Sequence, residues 1–392
     1  MNCQLCGAQA AQFLDLGQQP LANKYPTAAQ FEAEEFFPLS VFFCPRCKNV
    51  HLGTVVSRAR VFEDYYYLSS VNAGLVRHFE ALASTLQAAR FVVDVGSNDG
   101  ILLKPLTALG VDAIGVEPSV NVSEIANANG FTTICAFFDA TIAGVIFEAY
   151  GPADVIVASS VFTHLEDPHA FIEAAKALLS DDGRLVIEVE YIGNILKNIQ
   201  FERFYLDRVF YYSLTSLKYL FEAHDMRVTD VEEIEPHGGS LRVTIQRDSF
   251  GAAPTDAVYR QLEEEAQTLT EAKMGNFQAA VGAEVTALRE ILSAHKASGV
   301  RVAAYGAPAR VSTICNHGKI GPDMIEFVVD DSPLKQDRFT PGTHIPIVPK
   351  EHLDTHRPDV LVVFAYEYFD DIKTKTGGSY RYLLPIPPRE VT

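Results

Sequence analysis

Short apolar runs alternate with amphipathic segments along the central part of the chain. The apolar runs are rich in β-branched residues and recur at FVVDV (91–95), AIGVE (113–117), DVIVAS (154–159) and LVIEVE (185–190). Amphipathic stretches follow them, among them ILLKPLTALG (101–110), SEIANANG (123–130) and AFIEAAKALL (170–179). Such alternation is typical of buried parallel strands joined by crossover helices. The pattern therefore predicts an α/β domain with a Rossmann-like sheet.

The pattern changes on both sides of this region. Residues 1–60 have few long periodic segments, whereas residues 61–88 are rich in tyrosine and then helical in spacing. A long helical region rich in Glu and Ala spans residues 255–297, and a second α/β segment begins at VRVAAYGAPAR (300–310). We therefore predict three domains, over residues 1–65, 66–250 and 251–392.

Four cysteines form two CxxC pairs in the first segment, Cys3 with Cys6 and Cys44 with Cys47. Four soft sulfur ligands select zinc in a tetrahedral site, and such a site has no place left for water. The spacing therefore predicts a structural zinc module. Two redox-active pairs, or buried thiols without a metal, are the alternatives.

Charge and composition exclude several classes of function. The net charge is −18, which disfavours nucleic acids as partners because their binding needs a basic face. No apolar run approaches the roughly 20 residues that span a bilayer, and the N-terminus lacks the features of a signal peptide. We expect a cytoplasmic protein that binds a small molecule.

A glycine-containing turn follows the first predicted strand of the central domain. It reads DVGSNDG, so that Asp94, Gly96, Asn98 and Gly100 lie between a buried strand and the next helix. Glycines there allow close approach of a ligand to the backbone. Asn98 replaces the second glycine of a dinucleotide motif, and Glu117 ends the next strand, where ribose hydroxyls need an acceptor. These features favour S-adenosylmethionine over a nicotinamide dinucleotide or a purely structural turn.

Further candidates lie near the ends of DVIVAS (154–159) and LVIEVE (185–190), which we name strand four and strand five. Ser159 ends strand four and His164 follows it, at the edge where residues of such sheets face the ligand crevice. Tyr205, Asp207 and Arg208 cluster after strand five. A tyrosine beside an arginine can have a lowered pKa and act as an acid or base. A capping histidine and an aromatic core with an Asp–Arg ion pair are the alternatives.

Together these motifs resemble the C-methyltransferases that make branched deoxysugars from nucleotide-linked 4-keto sugars. The resemblance covers nearly the whole chain, including the CxxC pairs, FLDLGQQPLAN (13–23), GSNDGILL (96–103), VEPS (116–119), HGGSLR (237–242), YGAPAR (305–310) and VDDSPLKQDRFTPGTHIPI (329–347). It implies a zinc module, a class I methyltransferase domain and a C-terminal Rossmann-like domain. It also implies deprotonation at C3 of the sugar, followed by attack of the enolate on the methyl group of S-adenosylmethionine.

The resemblance assigns further site residues. One tyrosine of the Tyr65–Tyr67 cluster matches an active-site tyrosine, and His164 matches a histidine after strand four. Separately from the resemblance, Arg310, Lys335 and Arg338 are basic side chains that stand out in an acidic protein, so we expect a nucleotide-sugar between the central and C-terminal domains. A solvated surface is the alternative for these charges. His237, in the HGGSLR motif, is a further candidate for the same ligand.

This chain departs from the family after strand five. Where the family reads Tyr-x-Glu-His, the chain reads Tyr205-Leu-Asp207-Arg208, so the family's histidine is missing. A methyltransferase acting on another carbon, oxygen or nitrogen acceptor is therefore an alternative, as are a non-catalytic sugar-nucleotide binding protein and a nicotinamide dehydrogenase. The oligomeric state is left open between monomer and dimer.

Overall fold

The computed structural model describes residues 1–62 and 68–391, without the side chains of Phe62 and His237, and its strands form three sheets. The boundary expected near residue 65 and the assigned Tyr65 lie outside the described residues. In the part of the chain that is described, no helix combines the length and the apolar character that crossing a membrane requires.

The N-terminal segment folds around a small antiparallel sheet. Its elements are β1 (Ala11–Pro20), β2 (Phe36–Phe43), β3 (Val50–Leu52) and helix α1 (Arg58–Phe62).

The central domain has the predicted alternation of strands and helices. Its elements are α2 (Ala73–Thr85), β4 (Phe91–Val95), α3 (Leu103–Ala108), β5 (Asp112–Val116), α4 (Val120–Ala128), β6 (Thr133–Ile134), α5 (Ala140–Tyr150), β7 (Ala153–Ser159), α6 (Pro168–Leu178), β8 (Leu179–Glu190), α7 (Ile192–Lys197), β9 (Phe210–Tyr211), α8 (Leu214–Glu222), β10 (Met226–Ile234) and β11 (Ser240–Arg247).

Seven of these strands form one sheet in the order β10-β11-β8-β7-β4-β5-β6. The strands from β8 to β6 run parallel, whereas β11 is antiparallel to both of its neighbours. The order reverses between β4 and β7, and the crevice at such a switch point is where ligands bind in open α/β sheets. Strand β9 is not part of this sheet. It pairs with β3 of the N-terminal sheet and so joins the N-terminal segment to the central domain.

The C-terminal part begins with two helices and ends in a six-stranded sheet. Its elements are α9 (Asp256–Thr268), α10 (Glu271–Ala297), β12 (Val302–Tyr305), α11 (Arg310–Gly318), β13 (Val328–Val329), β14 (Ile347–Val348), α12 (His352–His356), β15 (Val360–Val363), α13 (Phe369–Lys375), β16 (Arg381–Pro385) and β17 (Pro388–Val391). The strand order is β14-β13-β12-β15-β16-β17, and all pairs except β16–β17 are parallel. The predicted Rossmann-like character of this segment is confirmed.

The helical region predicted over residues 255–297 is confirmed and consists of two helices, because the first helix ends at Leu269 and Thr270 caps a new one. Helix α9 packs on α8 and β10 of the central domain, where Glu265 accepts a hydrogen bond of 2.7 Å from the N–H of Leu214. The boundary near residue 250 stays a prediction, although α9 packs against the central domain rather than standing apart from it.

Candidate active site

The four cysteines of the N-terminal module come together. Their Sγ atoms lie within 4.8 Å of one another, with 3.6 Å between Cys3 and Cys47 and 3.5 Å between Cys6 and Cys44. Edges of this length fit a tetrahedron of thiolates about 2.3 Å from a central ion. Three of the four residues are buried, as expected of a closed structural site.

A single cavity of about 390 Å³ collects most of the other predicted residues. All three parts of the chain line it: Asn23 comes from the N-terminal module, the turn after β4 from the central domain, and Arg310 from the C-terminal domain. This volume lies within the range of small-molecule sites. Of the proposed cofactor residues, the cavity wall includes Asp94, Gly96, Asn98, Glu117 and Ser159.

The turn after β4 needs glycine at two positions for different reasons. Gly96 has a φ of 74°, and a Cβ there would lie 2.1 Å from Cγ2 of Val161, so the strand-four loop packs directly on this backbone. Gly100 has a φ of 87° and packs against the ring of Phe131. Gly100 is not among the described residues that line the cavity. Packing therefore explains the glycine at this position, and its contact with the cofactor stays a prediction.

Glu117 is held in a fixed orientation at the end of β5. Its two carboxylate oxygens accept hydrogen bonds from the N–H groups of Asn98, at 3.1 Å, and Ser119, at 2.8 Å. Burial raises the pKa of this carboxyl above its usual value, and these hydrogen bonds oppose the rise. Each oxygen has further acceptor capacity, which suits a bidentate contact with two hydroxyls.

Acidic side chains dominate this half of the cavity. Asp94, Glu117, Glu188 and Glu190 all line it. Burial, together with the charges of Glu117 and Glu188, raises the pKa of Asp94 well above its usual range. A cationic ligand would relieve this accumulation of carboxylates. S-adenosylmethionine carries a sulfonium and an ammonium group, so the residues present fit this cofactor.

A buried network in the cavity wall was not predicted from the sequence. Glu188 accepts hydrogen bonds from Ser159 at 2.5 Å, His78 at 3.0 Å and Arg242 at 2.8 Å. Burial by itself would raise the pKa of Glu188, but the hydrogen bond with His78 and the charge of Arg242 bring it below its usual value. Glu188 and Glu190 occupy alternate positions at the carboxyl end of β8, and this spacing was a readable signal for two crevice-facing carboxylates.

The strand-four histidine is tied to the strand-five cluster. His164 ends a short 3₁₀ helix, lines the cavity, and forms a hydrogen bond through Nδ1 with the backbone oxygen of Asp207. The side chain of Asp207 is buried behind the cavity wall, where Oδ2 accepts a hydrogen bond of 2.6 Å from Asn23. Burial raises the pKa of the Asp207 carboxyl, and the bond from Asn23 opposes the rise. The role of Asn23 gave no signal in the sequence.

Tyr205 and Arg208 both line the cavity and contact each other. Cζ of Arg208 lies 4.6 Å from the centroid of the Tyr205 ring. The expectation that Arg208 gives Tyr205 a lowered pKa is wrong. Burial raises the pKa of the phenol above its usual value, and the nearby Arg208 charge does not outweigh burial. Arg208 is instead paired with the buried carboxylate of Glu190.

The C-terminal domain contributes a buried ion-pair network to the cavity. Glu367 pairs with Arg203 of the central domain and, at 2.8 Å, with Arg310. Arg310 also stacks on Tyr366, with Cζ 4.6 Å from the ring centroid. This network joins the two domains across the site, so Arg310 serves the interface as well as lining the cavity.

The other residues predicted to bind the nucleotide-sugar lie in different places. Lys335 lines the cavity and donates a hydrogen bond of 3.0 Å to the Ala307 carbonyl, close to Asp330. Arg338 lines a second cavity and donates a hydrogen bond of 2.9 Å to the backbone oxygen of Tyr25, so it faces the N-terminal module. The side chain of His237 lies outside the described part of the structure.

Comparisons with known proteins cover the whole chain. Family profiles match a zinc binding domain over residues 3–62, a methyltransferase domain over 67–231 and a C-methyltransferase C-terminal domain over 235–387. The chain is 32% identical to the C-methyltransferase NovU of Streptomyces niveus, covering 100% of this chain and 97% of that protein. It is 27% identical to a ubiquinone biosynthesis O-methyltransferase of Rhodopseudomonas palustris (strain TIE-1), over 31% of this chain and 48% of that enzyme.

Solved structures align with part of the chain. Magnesium protoporphyrin IX methyltransferase (ChlM) from Synechocystis PCC 6803 with bound SAM aligns with a TM-score of 0.35 and 14% identity, over 45% of this chain and 81% of that one. The mitomycin 7-O-methyltransferase MmcR aligns with a TM-score of 0.36 and 18% identity, over 45% of this chain and 55% of that one.

The full-length relative and the three consecutive family matches agree with the architecture. The methyltransferase domain identifies S-adenosylmethionine as the cofactor, and the four-cysteine cluster within the zinc binding domain identifies zinc as the metal. The chain therefore belongs to the three-domain family of S-adenosylmethionine-dependent sugar C-methyltransferases.

Proposed function

We propose that the enzyme methylates C3 of a nucleotide-diphosphate 4-keto deoxysugar. The observation that carries this proposal is the single cavity that the cofactor turn, the strand-four loop and the C-terminal domain line together. A nucleotide-linked sugar is longer than a lone sugar ring, and a site that extends into a second domain suits such an acceptor. The NovU relative, a C-methyltransferase matched over its full length, supports carbon as the methyl acceptor.

Carbon methylation of a 4-keto sugar needs a base, because the ketone acidifies the adjacent C3–H only moderately. We assign this base to Nε2 of His164. A backbone carbonyl can only accept, so the bond from Nδ1 to the Asp207 oxygen requires a proton on Nδ1. In the neutral ring the lone pair then resides on Nε2. Removal of the C3 proton by this atom leaves an enolate with its negative charge on the C4 oxygen.

The enolate oxygen needs a donor in the cavity. Because the pKa of Tyr205 is raised, its hydroxyl stays protonated and can donate a hydrogen bond to this oxygen. Arg208 stacks on the Tyr205 ring and is held by Glu190, which fixes the ring in position. S-adenosylmethionine, when bound, would supply the electrophilic methyl group to C3 of the enolate, and the electron pair of the broken S–CH₃ bond would remain on sulfur.

The anionic end of the acceptor would extend toward the C-terminal domain. Nη1 of Arg310 is buried and has no hydrogen-bonding partner among the described residues. Lys335 supplies a second positive charge on the same wall. Diphosphate oxygens would satisfy the unpartnered donor of Arg310, and charge-assisted bonds of this kind are among the stronger polar contacts.

A methyltransferase acting on a different acceptor is the second candidate. The observation that favours it is the ion pair between Arg208 and Glu190, which occupies the position of the family's histidine with a group that cannot serve as a base. An oxygen or nitrogen acceptor would require no C–H deprotonation at this position.

The test is mass spectrometry of the purified enzyme with S-adenosylmethionine and a panel of nucleotide-linked 4-keto sugars. We expect one added methyl group on C3, and exchange of the C3 proton with deuterated water in the absence of methyl donor. His164→Gln should abolish this exchange and lower kcat by about 10²–10⁴, with unchanged cofactor affinity. Tyr205→Phe should reduce kcat by about 10²–10³. Methylation of an oxygen or nitrogen, without C3 exchange, would establish the second candidate.

A further inference from the structure

Helix α1 carries Arg58 from the zinc-binding module to the wall of the cavity. Val56 and Val61, on either side of this residue, are buried in the adjoining core. The backbone N–H of Arg58 donates a hydrogen bond of 2.5 Å to Oε1 of Glu166, in the loop before α6. The start of α1 is therefore anchored both by its neighbours in the core and by the central domain.

The guanidinium of Arg58 lies over an aromatic ring of the central domain. Cζ is 4.5 Å from the ring centroid of Phe137, and both residues line the cavity. Across residues 1–62 and 68–391 this guanidinium has no hydrogen-bonding or ionic partner. Its N–H donors are therefore available to a ligand or to water.

Phe137 and Glu117, whose carboxylate we assign to the cofactor ribose, line the same cavity. The N–H of Ala136 donates a hydrogen bond of 3.2 Å to the backbone oxygen of Glu117. This bond holds the segment after β6 against the end of β5. The neighbouring wall is apolar and consists of Pro118, Phe138, Leu165 and Phe171. A flat aromatic base attached to a ribose at Glu117 would lie on this wall.

We propose that Arg58 of the zinc-binding module binds the adenine end of S-adenosylmethionine and closes that end of the cavity. Its guanidinium, held over Phe137, donates hydrogen bonds to the acceptor nitrogens of the base. The inference depends on cofactor use and not on the identity of the methyl acceptor.

The charges of the cofactor favour this arrangement. Both of its cationic groups belong to the methionine half, which the carboxylates near Asp94 attract, whereas the base is neutral and accepts hydrogen bonds. A guanidinium at the base end is separated from these cations by the ribose. A partly buried cation over an aromatic ring with hydrogen bonds to a ligand contributes a modest share of affinity.

Isothermal calorimetry of the zinc-loaded full chain with S-adenosylmethionine tests the proposal. Arg58→Ala should raise the dissociation constant by about threefold to tenfold, and Arg58→Lys should lie between it and the wild type. Hydrogen exchange at residues 56–62 should slow on addition of the cofactor to the wild type and much less in Arg58→Ala.

Arg60 is the matched control, because it lies on the same short helix but pairs with Glu35 and lines the second cavity. Arg60→Ala should leave the dissociation constant unchanged. Equal constants for wild type and Arg58→Ala would overturn the proposal. If Arg58→Ala and Arg60→Ala weaken binding to the same extent, α1 acts only as scaffold, and the proposal fails. If the wild type binds S-adenosylmethionine through Arg58 but methylates none of the nucleotide-linked 4-keto sugars, only the proposed function fails.

Discussion

Replacement of Asn23 by alanine tests whether the zinc-binding module completes the active site. Its Nδ2 donates a hydrogen bond of 2.6 Å to the buried carboxyl of Asp207, whose backbone oxygen holds His164. Hydrogen bonds to a charged group contribute about 1.5–3 kcal/mol. Asn23→Ala should therefore lower the free energy of unfolding by about this amount.

The pH dependence of this effect follows from the raised pKa of Asp207. A buried acid with a raised pKa contributes stability at low pH that is lost as the pH rises from the value of the unfolded chain to that of the folded one. Since the bond from Asn23 opposes the rise, its removal raises the pKa further and extends this window upward. The loss of stability in Asn23→Ala should therefore be greater at pH 8 than at pH 5.

Urea unfolding at both pH values provides the assay, with a double-mutant cycle through Asp207→Asn as the control. The asparagine keeps the backbone oxygen that His164 uses but removes the carboxylate. We expect a coupling energy of at least about 1 kcal/mol between positions 23 and 207, together with a lower kcat in Asn23→Ala. Additive effects, or an Asn23→Ala enzyme with wild-type kcat and pH-independent loss of stability, would refute the reasoning.

Three further outcomes are expected. Cys44→Ser should reduce zinc content below about one ion per chain and lower the yield of folded protein, as measured by elemental analysis and gel filtration; a metal-free and fully folded variant would argue against a structural site. Glu117→Ala should weaken binding of S-adenosylmethionine at least about tenfold. The pKa of Glu117 is raised, so this carboxylate becomes protonated at a higher pH than an ordinary glutamate. On acidification, the affinity of the wild type for the cofactor should therefore begin to fall at a correspondingly higher pH. Arg310→Ala removes one of the two cations that pair with the carboxylate of Glu367, so the free energy of unfolding measured in urea should fall by up to about 3–5 kcal/mol. An unchanged unfolding midpoint would show that Arg203 alone compensates the charge of Glu367.

Residues whose chemistry depends on local spacing could be predicted from the sequence. The four cysteines, the turn from Asp94 to Asn98 and the carboxylate of Glu117 each follow from a motif of a few residues together with the strand that precedes it. At Gly100 the structure adds a further reason for glycine, because φ is positive there and the ring of Phe131 lies against it. A motif indicates which backbone positions are special, but the neighbour that makes each of them special is a tertiary contact.

The titration of Tyr205 could not be predicted for a related reason. Proximity to Arg208 in the sequence suggested a lowered pKa for Tyr205, whereas burial of the phenol in the folded chain raises it. The partner of Arg208 is Glu190, eighteen positions earlier in the chain. Burial and the pairing of charged residues that are distant in sequence both depend on tertiary packing, and no local pattern contains this information.

The zinc site illustrates how a locally predictable feature acquires a functional role through the fold. Its spacing indicates a closed structural ion that takes no part in chemistry, and the geometry of the thiols agrees. Yet the same module brings Asn23 to one side of the cavity and Arg58 to another, while β3 pairs with β9 shortly after Tyr205 and Arg208. An ion that stabilises this module therefore also fixes three parts of the cavity wall. A structural metal in this enzyme should influence turnover through position alone, which explains why a zinc module and a methyltransferase domain can share one site without sharing ligands.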